Sequence, residues 1–154
     1  MLKRFAVENY RGFKDRVELD LSKVGKYKFH SQYVLDGLVG KCLIFGRNGC
    51  GKTNFGLALF DIVSVLTDYQ IEGKQKDPFG FLNGDSDLPY ATFTYVFSGE
   101  TGDIVYEYRK ATPDNIVYER LEEGGRTIFV RDGDKADYSG LSAIGSAGSR
   151  IDIR

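Results

Sequence analysis

The chain has no tryptophan, one histidine, one methionine and two cysteines among its 154 residues. Each shortage excludes something. Cys42 and Cys50 are too few and too close together to form the framework of a disulfide-stapled secreted domain, so they read as free thiols. The lone His30 has no acidic or cysteine companion at ligand spacing and is assigned no role. Neither sign of charge is in excess: 21 Lys and Arg stand against 22 Asp and Glu, and a net charge of -1 makes no chain-wide electrostatic case for nucleic acid. No apolar run approaches the roughly 20 residues that cross a bilayer. Met1 to Phe5 carries no apolar signal core, and the chain is expected to be cytoplasmic, without a membrane partner.

Apolar residues make up 42% of the sequence, enough for one domain with its own core. Their spacing changes along the chain. Phe5 and Val7 alternate, Asn9-Tyr10-Arg11-Gly12-Phe13 interrupts, and Val17, Leu19 and Leu21 resume, which predicts an N-terminal hairpin. Ser22 to Gly40 is mixed and reads as a loop or irregular insertion. Lys41 to Phe45 is a short apolar run of the kind found in a buried parallel strand. Phe55, Leu59, Ile62 and Leu66 recur at helical spacing, predicting a helix from Lys52 to Asp68. Breakers from Gln70 to Leu88 predict a mobile surface loop. The period then falls to two through Phe93, Tyr95 and Phe97, Ile104, Tyr106 and Tyr108, Ile116 to Leu121, and Thr127 to Arg131, predicting an antiparallel meander. Beyond Asp132 no pattern is recognisable.

Between the predicted strand and helix lies Gly46-Arg47-Asn48-Gly49-Cys50-Gly51-Lys52-Thr53, which fits the phosphate-loop (Walker A) pattern G-x-x-x-x-G-K-[ST] at every fixed position. The chemistry explains the spacing. Gly46, Gly49 and Gly51 open backbone angles that let successive amides turn inward as an anion-binding nest. Lys52 reaches the β- and γ-phosphates, the Thr53 hydroxyl ligates Mg²⁺, and the helix points its positive end at the phosphates. Lys52 and Thr53 are thus the candidate catalytic pair, with Thr53 the metal ligand. Cys50 needs only its backbone here and reads as a tolerated small residue. No base-reading motif for guanine is present, which favours ATP.

Hydrolysis also requires an apolar strand ending in an acidic residue to hold Mg²⁺. Leu57 to Asp61 has the right letters but falls in the helix, about 12 Å from Thr53 at 1.5 Å per residue. Asp61 therefore reads as a solvated helix residue. Tyr33-Val34-Leu35-Asp36 could form a strand, with nothing to place it beside a magnesium ion.

The opening Phe5 to Phe13 with Val17 to Leu21, the loop Gly46 to Thr53 followed by Asn54, and the aromatic meander together resemble the N-terminal halves of ABC-class ATPases: RecF, the structural-maintenance-of-chromosomes (SMC) proteins, and OLD-like and abortive-infection AAA-type ATPases. Asn48-Gly49 and Asn54 sharpen the likeness. The resemblance implies a mixed α/β (α+β) lobe with hairpin, strand, phosphate loop, helix and meander, binding ATP and Mg²⁺. It implies dimerisation with a second copy or a complementary ATPase half, and coupling to DNA, a nuclease or another effector in DNA-linked processes or antiviral defence. By analogy Arg11 lies near the nucleotide; a turn residue of the hairpin is the alternative. The family's signature motif and second acidic strand have no counterpart in these residues, so hydrolysis is expected to need a further half. A small P-loop kinase and a non-hydrolytic ATP-binding module are the competing readings.

Overall fold

A computed structural model describes residues 1–25, 31–67 and 80–143. Seven strands form one antiparallel sheet: β1 (Leu2–Glu8), β2 (Val17–Asp20), β5 (Ala91–Ser98), β6 (Asp103–Thr112), β7 (Asn115–Glu123), β8 (Arg126–Asp132) and β9 (Lys135–Asp137), in the order β2-β1-β5-β6-β7-β8-β9. The hairpin and meander are as the alternation predicts. β1 joins them by pairing with β5, Phe5 opposite Tyr95 and Val7 opposite Phe93. One helix, α1 (Lys52–Leu66), packs on one face of the sheet. A small separate hairpin, β3 (Val34–Leu35) and β4 (Leu38–Val39), occupies part of the region read as a loop. No helix among the described residues is long and apolar enough to cross a membrane.

Period two explains the core. Phe5 and Val7, Phe93 and Tyr95, and Tyr106 and Tyr108 occupy the helix-facing phase of β1, β5 and β6, and all are buried. Their rings interlock: Phe93 stacks on Tyr108 at 5.1 Å between centroids, and Phe5 meets Phe55 of α1 edge-on at 5.4 Å. Such geometries add roughly 0.5–1.5 kcal/mol per pair beyond area burial. The outer face carries charge, with Glu107 between Arg109 and Arg120.

Four expectations need correction. Lys41 to Phe45 is not a strand: it has no regular structure, and Leu43, Ile44 and Phe45 are 80%, 50% and 85% exposed. A parallel strand requires a neighbour, and none of the described strands pairs with it. The predicted strand-loop-helix unit is therefore present only as loop and helix. Asp61 is not solvated but 2% exposed. The inward line of α1 runs through Phe55, Ala58 and Asp61, with Leu59, Ile62 and Val65 beside it, so Leu66 is left 64% exposed. Residues 80–88 are not wholly a surface loop, because Phe81 enters the core and its carbonyl accepts a bond from the Arg11 amide, while Gly84, Asp85, Asp87 and Leu88 stay exposed. The rest of that predicted loop, from 70 to 79, and His30 lie outside the described residues. Finally, the chain beyond Asp132 is ordered through β9 and a turn of 3-10 helix, Ser139–Ala143.

Asp36 is the first residue of the tight β3–β4 turn, with φ 51°, followed by Gly37 at 75°. Two positive φ angles in succession are what a two-residue Asp-Gly hairpin turn demands. Within Tyr33 to Asp36, Val34 and Leu35 form the short strand the sequence allows and Asp36 opens the turn after it.

Candidate functional site

The glycine-rich segment forms a compact loop ahead of α1. Gly49 and Gly51 take φ of 81° and 94°, in the left-handed region where a side chain is strained. At Gly51 there is no room either: an added Cβ would sit 3.0 Å from the Phe13 ring. Phe13, from the β1–β2 turn, therefore backs the loop, and it also meets Phe55 edge-on at 6.2 Å. At Gly46 an added Cβ would lie 2.5 Å from the Cys50 sulfur, so the loop closes tightly on itself.

The first turn of α1 is open. Its N-cap, Gly51, offers no side-chain acceptor, and no acidic residue lies in that turn. The leading amides and the positive end of the helix dipole face outward without an internal anion. They border a cavity of about 310 Å³ lined by Asn48, Gly49, Gly51, Lys52, Thr53 and Asn54. Thr53 is exposed there. Lys52 bends back over the loop, its ammonium donating to the Gly46 carbonyl at 2.8 Å and the Arg47 carbonyl at 2.7 Å. The Cys50 sulfur lies 3.8 Å from the same ammonium. Arg47 and Asn48 are exposed on the loop. The structure thus gathers the residues from Gly46 to Asn54 at one place.

Arg11 sits in a turn where it and Asn9 both have positive φ, 50° and 54°. Asn9 is fully buried, its amide bonding the Leu88 and Tyr90 carbonyls at 2.8 and 2.7 Å. Arg11 donates to the Tyr10 hydroxyl at 3.1 Å, and its carbonyl accepts from the Asn83 amide at 2.7 Å. Its neighbour Gly12 approaches Asn54 of α1, where an added Cβ would lie 3.8 Å from the Asn54 side-chain nitrogen. The turn that carries Arg11 thus lies beside the first turn of the helix.

Behind the loop, a second set of polar groups lies inside the core. Asp61 of α1 accepts from Lys110 at 3.0 Å and from the Tyr108 hydroxyl at 2.8 Å. The Tyr95 hydroxyl lies 3.2 Å from that of Tyr108 and donates to the Ala58 carbonyl at 2.8 Å. Burial holds the Tyr95 and Tyr108 phenols well above their usual titration range, and Asp61 nearby pushes the same way. The motif reading missed these residues. One signal was legible: Lys110 continues the inward phase of Ile104, Tyr106 and Tyr108, and Asp61 is the one charged residue of α1 after Lys52.

No group of three or more His, Cys, Asp and Glu able to hold a metal occurs among the described residues. For a magnesium ion carried by a nucleotide, the fitting group is the exposed Thr53 hydroxyl at the cavity rim.

No protein-family model matches the chain. It is 28% identical over 132 residues to the chromosome partition protein Smc of Halobacteriovorax marinus, an alignment covering 83% of this chain and 10% of that protein. Among solved structures it superimposes on one from work on ATP-driven dimerization and DNA-stimulated activation of SMC ATPases. That match has a TM-score of 0.51 and 17% identity, over 82% of this chain and 70% of the other. The fold is SMC-like. A mostly antiparallel sheet with one helix matches that ATPase domain, and the chain spans about a tenth of the length of the Smc relative.

Proposed function

We infer that this chain is the nucleotide-binding N-terminal lobe of an SMC-like, ABC-class ATPase, holding Mg·ATP between the loop Gly46 to Thr53 and the start of α1. The observation that carries this is the conjunction of a complete phosphate-loop pattern with an uncapped helix N-terminus that opens on a cavity of about 310 Å³. The loop amides and Lys52 bind the phosphates; Lys52 exchanges the Gly46 and Arg47 carbonyls, which now accept its protons, for phosphate oxygens. Thr53 would hold Mg²⁺, which neutralises charge on the phosphates during transfer. Arg11 lies in the turn next to Gly12, which approaches Asn54 at the start of α1.

A complementary half, from elsewhere in the protein or from a second copy, completes the machine. Two surfaces support this. Leu43, Ile44 and Phe45 are exposed on an unpaired segment, and α1 shows a second apolar face through Phe60, Val63 and Leu66, 59%, 37% and 64% exposed. A helix apolar on all sides belongs in an interior. The same surfaces argue against a self-sufficient kinase or a free-standing binding module. Hydrolysis, the cytoplasmic setting, and coupling to DNA, a nuclease or phage defence belong to the intact protein in this proposal.

Thermal melting with and without Mg·ATP tests the reading. At 100 times its dissociation constant, a ligand that binds only the folded state adds about 2.7 kcal/mol, roughly 5–10 °C for a chain of this size. The shift should vanish in Lys52→Ala, with no phosphate release from either form. A parent chain that melts identically with and without nucleotide would sink the proposal.

A further inference from the structure

Beyond the ring contacts of Phe55 with Phe5 and Phe13 near its start, the helix that carries the nucleotide site is oriented mainly by apolar packing. Phe55, Leu57, Ala58, Leu59, Phe60, Ile62, Val63, Val65 and Leu66 place apolar side chains on every side of α1. Apolar burial is non-directional. Turned by one residue, about 100°, such a helix would still lay hydrophobic groups on the sheet. The loop amides and Thr53 would then face elsewhere, because a helix transmits rotation along its length as a rigid rod.

A buried polar cluster breaks this degeneracy. Asp61, the one charged residue of α1 after Lys52, meets Lys110 of β6 with both carboxylate oxygens near the ammonium, at 3.0 and 2.8 Å, and the side chains are 3% and 4% exposed. Tyr108 donates to the same carboxylate at 2.8 Å, and Tyr95, within reach of Tyr108, donates to the Ala58 carbonyl one turn earlier. Two contacts a turn apart on one line of the helix define both its rotation and its position along its axis. A buried ion pair contributes little net stability, since desolvation offsets attraction; its attested use is to select one arrangement among several.

We propose that Asp61, held by Lys110 and Tyr108, is the positioning residue of the nucleotide site, setting the rotation of α1 and so the direction in which the loop amides and Thr53 face. The inference rests on the nucleotide-binding reading above. Asp61 acts through about nine residues of helix, roughly 14 Å from Lys52 at 1.5 Å per residue, and touches no ligand itself.

The paired variant Asp61→Asn with Lys110→Met removes both charges while keeping volume. Its melting temperature without nucleotide and its dissociation constant for Mg·ATP, from titration with a fluorescent ATP analogue, are measured against the parent chain. The expected result is a split: melting close to the parent, with affinity on the order of tenfold weaker through misdirected loop groups. Parent-like melting with unchanged affinity overturns the proposal. Should the paired variant fail to fold, Tyr108→Phe decides, since it keeps the ring and removes one hydroxyl from the carboxylate. Weaker binding by that folded variant supports the positioning role, and unchanged binding overturns it. A parent chain that binds no Mg·ATP refutes the nucleotide reading itself, whereas parent binding with indifferent variants refutes only the role of Asp61.

Discussion

At the scale of single residues, the most constrained positions are those where backbone angle and space agree. Gly51→Ala would place a methyl group both at φ 94° and 3.0 Å from the Phe13 ring. We expect a loss of about 1–3 kcal/mol, read by urea denaturation, together with impaired Mg·ATP binding. Gly56 in mid-helix has a free side, with nothing within 4 Å of an added Cβ, and Gly56→Ala should raise stability by about 0.5–1 kcal/mol. Four buried phenols give a pH signature. Tyr10, Tyr95, Tyr106 and Tyr108 all titrate above their ordinary value of 10.0, desolvation being the largest cause in each. A group whose folded value is raised contributes stability that is complete below the unfolded value and lost above it. The fold should therefore be insensitive to these groups up to about pH 10 and lose stability above it, with ionisation of these four rings, followed by NMR of ring-labelled tyrosine, appearing in the unfolding transition. Ionisation of these four rings well before unfolding would show that they are accessible.

At the scale of elements, the meander was readable because one of its faces is buried, which writes period two into the sequence; Phe93, Tyr95, Tyr106 and Tyr108 declare their side without help. The phosphate-loop pattern was legible for the same reason in reverse, since its glycines answer local backbone demands. What failed were judgements that depend on a distant partner. Asp61 looks solvated until Lys110, 49 residues away, is brought beneath it. Lys41 to Phe45 looks like a buried strand, but burial depends on what lies beside it, and sequence alone names no neighbour. That segment carries its own prediction. Leu43→Ser with Phe45→Ser should leave melting within about 1 kcal/mol of the parent, because both side chains are already exposed. It should also reduce self-association in sedimentation velocity. Equal association by parent and variant would show that the segment is not the adhesive surface.

At the scale of the whole molecule, the sheet and the glycine-rich loop meet through very few elements: the β1–β2 turn under the loop, and α1 across the sheet. Phe93 lies fully buried in the core supporting both, against Tyr10, Phe81 and Tyr108. Phe93→Ala should cost about 3–5 kcal/mol, a large part of the stability of a domain this size. Strand order also has a consequence in time. β6 to β9 pair only with sequence neighbours, whereas β1 must find β5 across roughly eighty residues of intervening chain. Loop-closure entropy therefore favours a folding nucleus in the meander, with β1, its turn and the helix docking afterwards. The proposed nucleotide site is assembled from those late arrivals, so bound Mg·ATP should slow unfolding while leaving the rate of folding nearly unchanged.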